Sequence, residues 1–555
     1  MSSRGPNASK GRASLSTEER VAEVERLSQS GKIVDAASRA GRLIKEGVRD
    51  ARLFAVAAYG ALDRRKWAEA EPHLRAWVAM ALDDPGAVIN LAWCLNELGR
   101  EAEAEPLARR AVEIAPDQEA AWSNLLVSLR GQKKWKSGLT ALAAAPGPLR
   151  ASQNMLLLAG DLHCGAGDAA RSLACALEAQ RTNLEHWWPS QAAAFTSNYV
   201  EMEPARRGAL HRNFGRLLEE SVAGRQPFAT DAPPTGGPDK RLRVAFISHD
   251  LRDHPVGTFC RPLFEHWDRG AMELLVYSTH AGDAVSAHLR TLCDRWTVVG
   301  AESPQGAANN IRRHGADVLI ELHGLTEGNS LATVALRPAP LQATWCGFPN
   351  TTGLRAVDLR IVDALTDPPE NEGTEPWYTE QRVRLDGCFL CYAPPWGIEL
   401  PAVREREPGA PVTFGSFNIS LKITPGVLAL WKRVLDAVPG SRLLVKSTSF
   451  AQPEAVQLFR ERASAADIDP ARLNVLGRTP TMQDHLAAYH AVDVALDTFP
   501  YHGTTTTCEA MLMGVPVVSR IGDTHGSRVA LSLLTAASRP ADGSPAPDGW
   551  SPAEW

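Results

Sequence analysis

The segment His502-Gly503-Thr504-Thr505-Thr506-Thr507-Cys508-Glu509-Ala510-Met511 gathers the side chains best suited to hold an anion. It follows a strand-like run at 492–498 and a turn, Phe499-Pro500-Tyr501, and it leads into apolar residues, 510–513, that open a helix. At such a junction the first N–H groups of the helix lack partners, and the helix dipole favours negative charge. Four threonines add hydroxyls at the same place. Glu509, a turn further on, can accept from a sugar diol. The segment reads as a cradle for a nucleotide diphosphate; taken alone, it fits a threonine N-cap with polar neighbours equally well.

Other loops that follow strand-like runs carry further reactive groups. His249-Asp250-Leu251-Arg252-Asp253-His254-Pro255 is one, and the proline holds His254 extended, with its imidazole directed away from the strand end. His323-Gly324 and the stretch 347–353 are two more. In 417–425 (FNISLKITP), Lys422 is a point charge suited to a diphosphate. Each has a plainer explanation. A single histidine at a strand end is more often structural, a loop lysine is usually solvated, and Gly and Pro mark turns. The convergence of an anion cradle, a cation and a histidine on loops of one strand-helix series is harder to explain that way.

The elements that position these loops fall into two kinds. A period of 34 residues runs through the first third: Ala68-Glu69-Ala70-Glu71-Pro72 recurs as Ala102-Glu103-Ala104-Glu105-Pro106. Positions 31, 65, 99, 133 and 167 hold Gly, Arg, Gly, Lys and Gly, and positions 36, 70, 104, 138 and 172 are all small. This is the tetratricopeptide pattern, with about five units expected between 19 and 188 and a helical cap at 189–221. Residues 1–18 read as disordered and 222–240, rich in Pro and Gly, as a linker. From there short apolar strands alternate with helical stretches, at 243–248, 273–278, 317–322, 341–346 and 359–362, then at 412–416, 442–446, 473–476, 492–497 and 515–519. Alternation of this kind predicts two parallel-sheet α/β lobes, 241–400 and 411–535, with a ligand crevice at the carboxyl ends of their strands.

Composition excludes some classes. The chain has 555 residues, a net charge of -5 and 22% charged residues, so no basic field calls for nucleic acid or an anionic membrane. No run of 18 apolar residues predicts a membrane span, and the N-terminus has no apolar core of a secretory signal. Nine scattered cysteines point to reduced thiols and a cytoplasmic setting. Cys388 and Cys391 have C-x2-C spacing without a second pair, which favours packing over zinc.

Several long strings resemble the protein O-glycosyltransferases of the O-GlcNAc transferase and SPINDLY type, glycosyltransferase family 41. They are RVAFISHD…HP, ALRPAPLQATWCGFPNTTG, VDLRIVDALTDPPE, CFLCY, VTFGSFN…KITP and DTFPYHGTTTTCE, in order over about 243–535. The wording PNTTG, CFLCY and GTTTTCE is closer to the SPINDLY branch. The resemblance implies a tetratricopeptide solenoid followed by a GT-B pair of Rossmann-like lobes. It implies inverting transfer of a sugar, GlcNAc from UDP-GlcNAc or fucose from GDP-fucose, to Ser or Thr hydroxyls. It implies no cofactor and no metal, and protein or peptide acceptors held through the tetratricopeptide groove.

Residue by residue, the resemblance puts His254 on the histidine facing acceptor and donor sugar, leaving open whether it is the base. Lys422 falls on the lysine that neutralises the leaving diphosphate. Thr505 and Thr506 fall on phosphate-binding threonines, with Thr504 beside them. Glu509 falls on the ribose-holding acid and His485 on a residue that stacks near the nucleobase. Asp317 is a weaker candidate for an acidic helper near the acceptor. Ile419 and Met482 depart from the family, which often has Gln or Asn at the first position and a basic residue near the second. The resemblance stops after 527–534, and the low-complexity stretch 536–555 leads to the expectation of a second lobe truncated at its C-terminus. A helical-repeat binding scaffold with weak or no turnover is therefore the alternative to an enzyme.

Overall fold

The computed structural model describes residues 16–223, 240–371, 377–404, 406 and 409–538. The expected linker, apart from its first and last residues, and all but the start of the expected tail lie outside these. The chain divides into two compact units, residues 1–151 and 152–555.

In the first unit the helices are α1 (Thr17–Gln29), α2 (Ile33–Lys45), α3 (Ala51–Asp63), α4 (Trp67–Met80), α5 (Pro85–Glu97), α6 (Glu101–Ile114), α7 (Glu119–Gly131), α8 (Trp135–Ala144) and a single turn, α9 (Gly147–Arg150). The second unit opens with α10 (Gln153–Gly165), α11 (Ala169–Thr182), α12 (Trp187–Ser197) and α13 (Pro204–Val222). The first helices of the five hairpins begin at 17, 51, 85, 119 and 153, and their partners at 33, 67, 101, 135 and 169, so the sequence period is the structural period. The phase read from the sequence has a physical cause at each position. Gly31, Arg65, Gly99, Lys133 and Gly167 all have positive φ and turn each hairpin. Ala36, Ala70 and Ala104 are fully buried where the paired helices touch. The expected boundaries shift slightly: Thr17 and Glu18 are already helical, and α13 extends to Val222.

α13 is more than a cap. Its Phe214 and Leu218 join Ile247, Tyr277 and Leu319 in the core of the first lobe. Gly215 makes this possible, because a Cβ there would lie 1.8 Å from the Gly353 carbonyl oxygen.

The first lobe comprises β1 (Leu242–Ser248), α14 (Pro255–Glu265), β2 (Met272–Ser278), α15 (Ala284–Thr291), β3 (Arg295–Val298), α16 (Pro304–Arg313), β4 (Val318–Glu321), α17 (Leu331–Ala335), β5 (Leu341–Thr344), β6 (Leu359–Asp363) and β7 (Gln381–Leu385). The second comprises β8 (Thr413–Ser416), α18 (Pro425–Ala437), β9 (Arg442–Lys446), α19 (Pro453–Ala465), β10 (Leu473–Leu476), α20 (Met482–Ala487), β11 (Val494–Leu496), α21 (Thr505–Leu512), β12 (Val517–Val518) and α22 (Val529–Ser538). Both sheets are parallel throughout, in the orders β3-β2-β1-β4-β5-β6-β7 and β10-β9-β8-β11-β12. β3 and β7 were not expected from the sequence. They are edge strands with no fully buried residue, so they lack the apolar run that marks the inner strands.

Each sheet winds outward from its first strand and reverses once, between β1 and β4 and between β8 and β11. Open α/β sheets bind ligands at such reversals, outside the carboxyl ends of the strands. The loops singled out in the sequence after β1, β4, β8 and β11 are the ones that flank these two points.

Candidate active site

At the reversal of the first sheet, Asp250 organises the histidines. It is 5% exposed, and its Oδ2 accepts from Nε2 of His323 at 2.8 Å. Arg252 donates to Oδ1 at 3.2 Å, and Nδ1 of His254 lies 3.6 Å from Oδ2. His254 is the N-cap of α14 with extended backbone, as its proline successor demands, and its Nδ1 accepts from Val256 N at 3.3 Å. That bond places the proton of the neutral ring on Nε2; donation from Nδ1 to Asp250 would require the other tautomer. Burial holds the His254 imidazole below its ordinary range, against the pull of Asp250, and burial takes His323 down to about 4. Both rings are neutral near pH 7. Beside them, Glu321 accepts from the backbone N–H groups of His323 and Gly324 at 2.5 and 2.6 Å, and burial raises its carboxyl to about 7.

At the reversal of the second sheet the arrangement serves negative charge. Lys422 ends a 3-10 turn, Ser420–Lys422, and its Nζ donates to the His502 carbonyl at 2.6 Å and lies 3.8 Å from the centre of the Tyr501 ring. Burial lowers its ammonium to about 8, the Asp497 carboxylate pulling the other way. His502 is fully buried, with ring contacts to the Arg520 carbonyl and Ala530 N, so the carbonyl that receives Lys422 is fixed. Two residues on, Thr504 begins α21 with no side chain capping the first turn. Thr504, Thr505 and Thr506 are half-buried, whereas Thr507 is buried. Thr506 donates to Asn418 Oδ1 at 3.3 Å, so the lysine loop and the threonine bend touch at two places. Gly503 is required for this turn, since a Cβ would meet Thr506 Oγ1 at 2.5 Å.

Glu509 and His485 are joined to each other. Lys446, at the end of β9, donates to His485 Nδ1 at 2.6 Å, and His485 Nε2 donates to Glu509 Oε2 at 3.0 Å. Glu509 is 5% exposed and Tyr489 closes over it. The structure thus groups Lys422, Thr504, Thr505, Thr506, His485 and Glu509 on one sheet edge.

Asp317 departs from expectation. It precedes β4 at the amino edge of the first sheet, where its Oδ2 accepts from Arg243 N at 2.9 Å. It caps the start of the strand pair and lies at the opposite edge from His254, so the helper role is withdrawn. The acids at the carboxyl edge are Asp250 and Glu321. Asp250 stood in a loop already singled out, and its position four residues before His254 was the available signal. Lys446 was legible only as a cation ending an apolar strand.

The lobes meet at the carboxyl end of β6 and the loop after it. His525 Nδ1 bonds Asp367 at 2.6 Å, Ser532 donates to Asp363 Oδ2 at 2.5 Å, and Arg528 donates to the Leu365 carbonyl at 2.7 Å. The carboxyl edge of the first sheet therefore borders the second lobe.

A model of glycosyl transferase family 41 matches residues 201–390 and 403–541, and a tetratricopeptide model matches 61–129. The chain belongs to glycosyltransferase family 41. It is 40% identical over 303 residues to a probable UDP-N-acetylglucosamine–peptide N-acetylglucosaminyltransferase, SPINDLY, of Arabidopsis thaliana, the match covering 54% of this chain and 33% of that protein. A second Arabidopsis thaliana relative with the same description, SEC, is 27% identical over 54% of this chain and 31% of its own length. Matched stretches thus span about a third of these curated relatives. A mutant form of the Thermobaculum terrenum O-GlcNAc transferase superposes with a TM-score of 0.69 at 30% identity, covering 88% of this chain and 85% of that one. This family 41 chain has, among its described residues, no helix long and apolar enough to cross a membrane and no group of three or more His, Cys, Asp or Glu placed to hold a metal ion.

Proposed function

We propose that this chain transfers a sugar from a nucleotide-sugar to Ser or Thr hydroxyls of proteins, with inversion and without a metal. The observation that carries the reading is the Lys422–His502 contact, which sets a half-buried cation beside the uncapped N-terminus of α21 at the reversal of the second sheet. A diphosphate is already a good leaving group, and the charge it gathers needs prearranged donors. Lys422, Thr504–Thr506 and the first N–H groups of α21 supply them. His254, neutral at the edge of the first lobe, takes or relays the proton of the attacking hydroxyl. Glu509 holds the ribose and His485 lies by the base.

The donor we favour is UDP-GlcNAc, the nucleotide-sugar in the names of the relatives. GDP-fucose is the second reading, because Ile419 is 40% exposed where a polar base contact is expected and Met482 replaces a basic residue. Proteins or peptides are the acceptors, bound through the helical repeats. A scaffold without turnover is the remaining competitor. Calorimetry with UDP and with GDP separates these readings: one nucleotide binding with micromolar affinity supports a transferase and names the donor, and neither binding leaves the scaffold. Mass spectrometry of co-expressed proteins for added hexosamine or deoxyhexose then identifies the sugar.

A further inference from the structure

The five hairpin turns set up an internal comparison. All five residues at this phase have positive φ, and Arg65 and Lys133 show that the turn accepts long side chains. At Gly31 and Gly99 a Cβ would meet nothing within 4 Å. At Gly167 it would lie 2.1 Å from Arg462 Nη1 and 2.8 Å from Ser420 Oγ. A side chain at 167 would therefore have to displace the Arg462 guanidinium, which packs on this turn, whereas the turns at Gly31 and Gly99 are open.

What packs there is a side chain from the second lobe. Arg462, near the end of α19, donates through Nη1 to the Ala166 carbonyl at 3.5 Å and to Ser420 Oγ at 3.1 Å, and through Nη2 to the Ile423 carbonyl. Ser420 and Ile423 bracket Lys422. The other side of the same turn is held by packing: Leu421 is buried with Ala169 of α11 and with Tyr199. Tyr501, which lies under the Lys422 ammonium, packs against Tyr199 with ring centres 5.2 Å apart and planes tilted by 45°. Burial brings the Arg462 guanidinium down to about 10, and Asp168 at the start of α11 opposes that shift. A cation placed at such a cost is retained where its rigid fork fixes several acceptors at once.

We propose that Arg462 is a positioning residue that latches the turn of the fifth helical hairpin to the turn carrying Lys422, making that hairpin part of the scaffold of the anion site. The link to catalysis rests on the function proposed above; the latch itself does not. Without it the lysine turn hydrates, and the ammonium loses its fixed place above Tyr501 and against the His502 carbonyl.

The test reads the lysine directly. Competitive acetylation of Lys422 as a function of pH, followed by mass spectrometry, is compared in the parent chain, Arg462→Ala, Arg462→Lys, Gly167→Lys and Gly99→Lys, each checked for folding by circular dichroism. The parent midpoint is expected near 8. Arg462→Ala and Gly167→Lys raise it by about one unit as water enters, Arg462→Lys raises it less, and Gly99→Lys leaves it unchanged. Added guanidinium ion restores the Arg462→Ala midpoint. Unmoved midpoints in folded Arg462→Ala and Gly167→Lys overturn the latch. In parallel, affinity for UDP and GDP is measured by calorimetry. A parent that binds neither, together with shifted midpoints, sinks the transferase reading and keeps the latch. A parent that binds one, with unshifted midpoints, does the reverse. Where both hold, Arg462→Ala weakens that nucleotide about tenfold.

Discussion

The two sheet reversals are built alike and furnished oppositely. At the first, Asp250 accepts from His323 and lies beside His254, both rings kept neutral by burial, and Glu321 accepts from backbone N–H groups. At the second, a half-buried lysine, three half-buried threonines and an uncapped helix N-terminus present donors. On the function proposed above, one parallel architecture would supply a place to move a proton and a place to stabilise negative charge, the difference lying in the loops after the strands. A transfer reaction that releases a diphosphate needs both.

The comparison breaks most visibly at Lys422. Lys422→Met is expected to lower turnover by about 10³-fold, the scale of losing one prearranged donor. The same change should stabilise the chain by roughly 1–3 kcal/mol, because the folded protein holds this ammonium at about 8 against an ordinary 10.5. A depressed lysine pKa disfavours folding below about 8, and that penalty fades as pH rises toward the unfolded value. Urea unfolding at pH 7 and at pH 10 tests the sign: the stabilising effect should be large at pH 7 and small at pH 10.

On the proton side, His254→Ala should cut turnover by about 10²-fold while nucleotide affinity changes less than threefold. Equal losses in both would move His254 into the anion site and erase the division of labour. The pH profile joins the two edges. kcat/KM should fall as pH rises through about 8, where Lys422 loses its proton, and fall again below the ordinary histidine range, where His254 gains one. Lys422→Arg, which keeps its charge, should move the alkaline limb upward and leave the acid limb in place.

How far the sequence disclosed this design differs between the regions. The helical period was fully legible, because each repeat imposes the same packing and the same positive-φ turn at 31, 65, 99, 133 and 167. The inner strands were legible from their apolar runs, while β3 and β7 were hidden by their exposed, Arg-bearing alternation. Lys422 and the threonine bend stood out together: each alone has a plain structural explanation, but a cation and an anion cradle on loops of one strand-helix series do not. Asp317 was suggested by the resemblance and not by its place: as the first residue of the run at 317–322 it opens the strand, and there it accepts from Arg243 N at the amino edge. Arg462 and Lys446 were invisible for the opposite reason: each acts through partners 39 or more residues away or on other elements, Ile423 and Ser420 for one, His485 and then Glu509 for the other.

The smallest expected effect belongs to Lys446 and bears on whether the donor edge is one unit or two. Its Nζ donates to His485 Nδ1, which leaves the His485 proton on Nε2 and directs it to Glu509 Oε2. His485 and Tyr489 both engage Oε2, which on the proposed function leaves Oε1 for the diol. Lys446→Met frees the ring to take either tautomer or to flip, so Glu509 loses its fixed orientation while Lys422 and the threonines stay in place. Affinity for the cognate nucleoside diphosphate should drop only about threefold to fivefold, the scale of one weakened hydrogen bond. Its preference over the 2′-deoxy form should shrink by the same factor, because the diol contact is the one disturbed. A uniform loss for both nucleotides would mean that Lys446 supports the phosphate site directly, and an unchanged preference in Glu509→Gln as well would remove the diol from the site altogether.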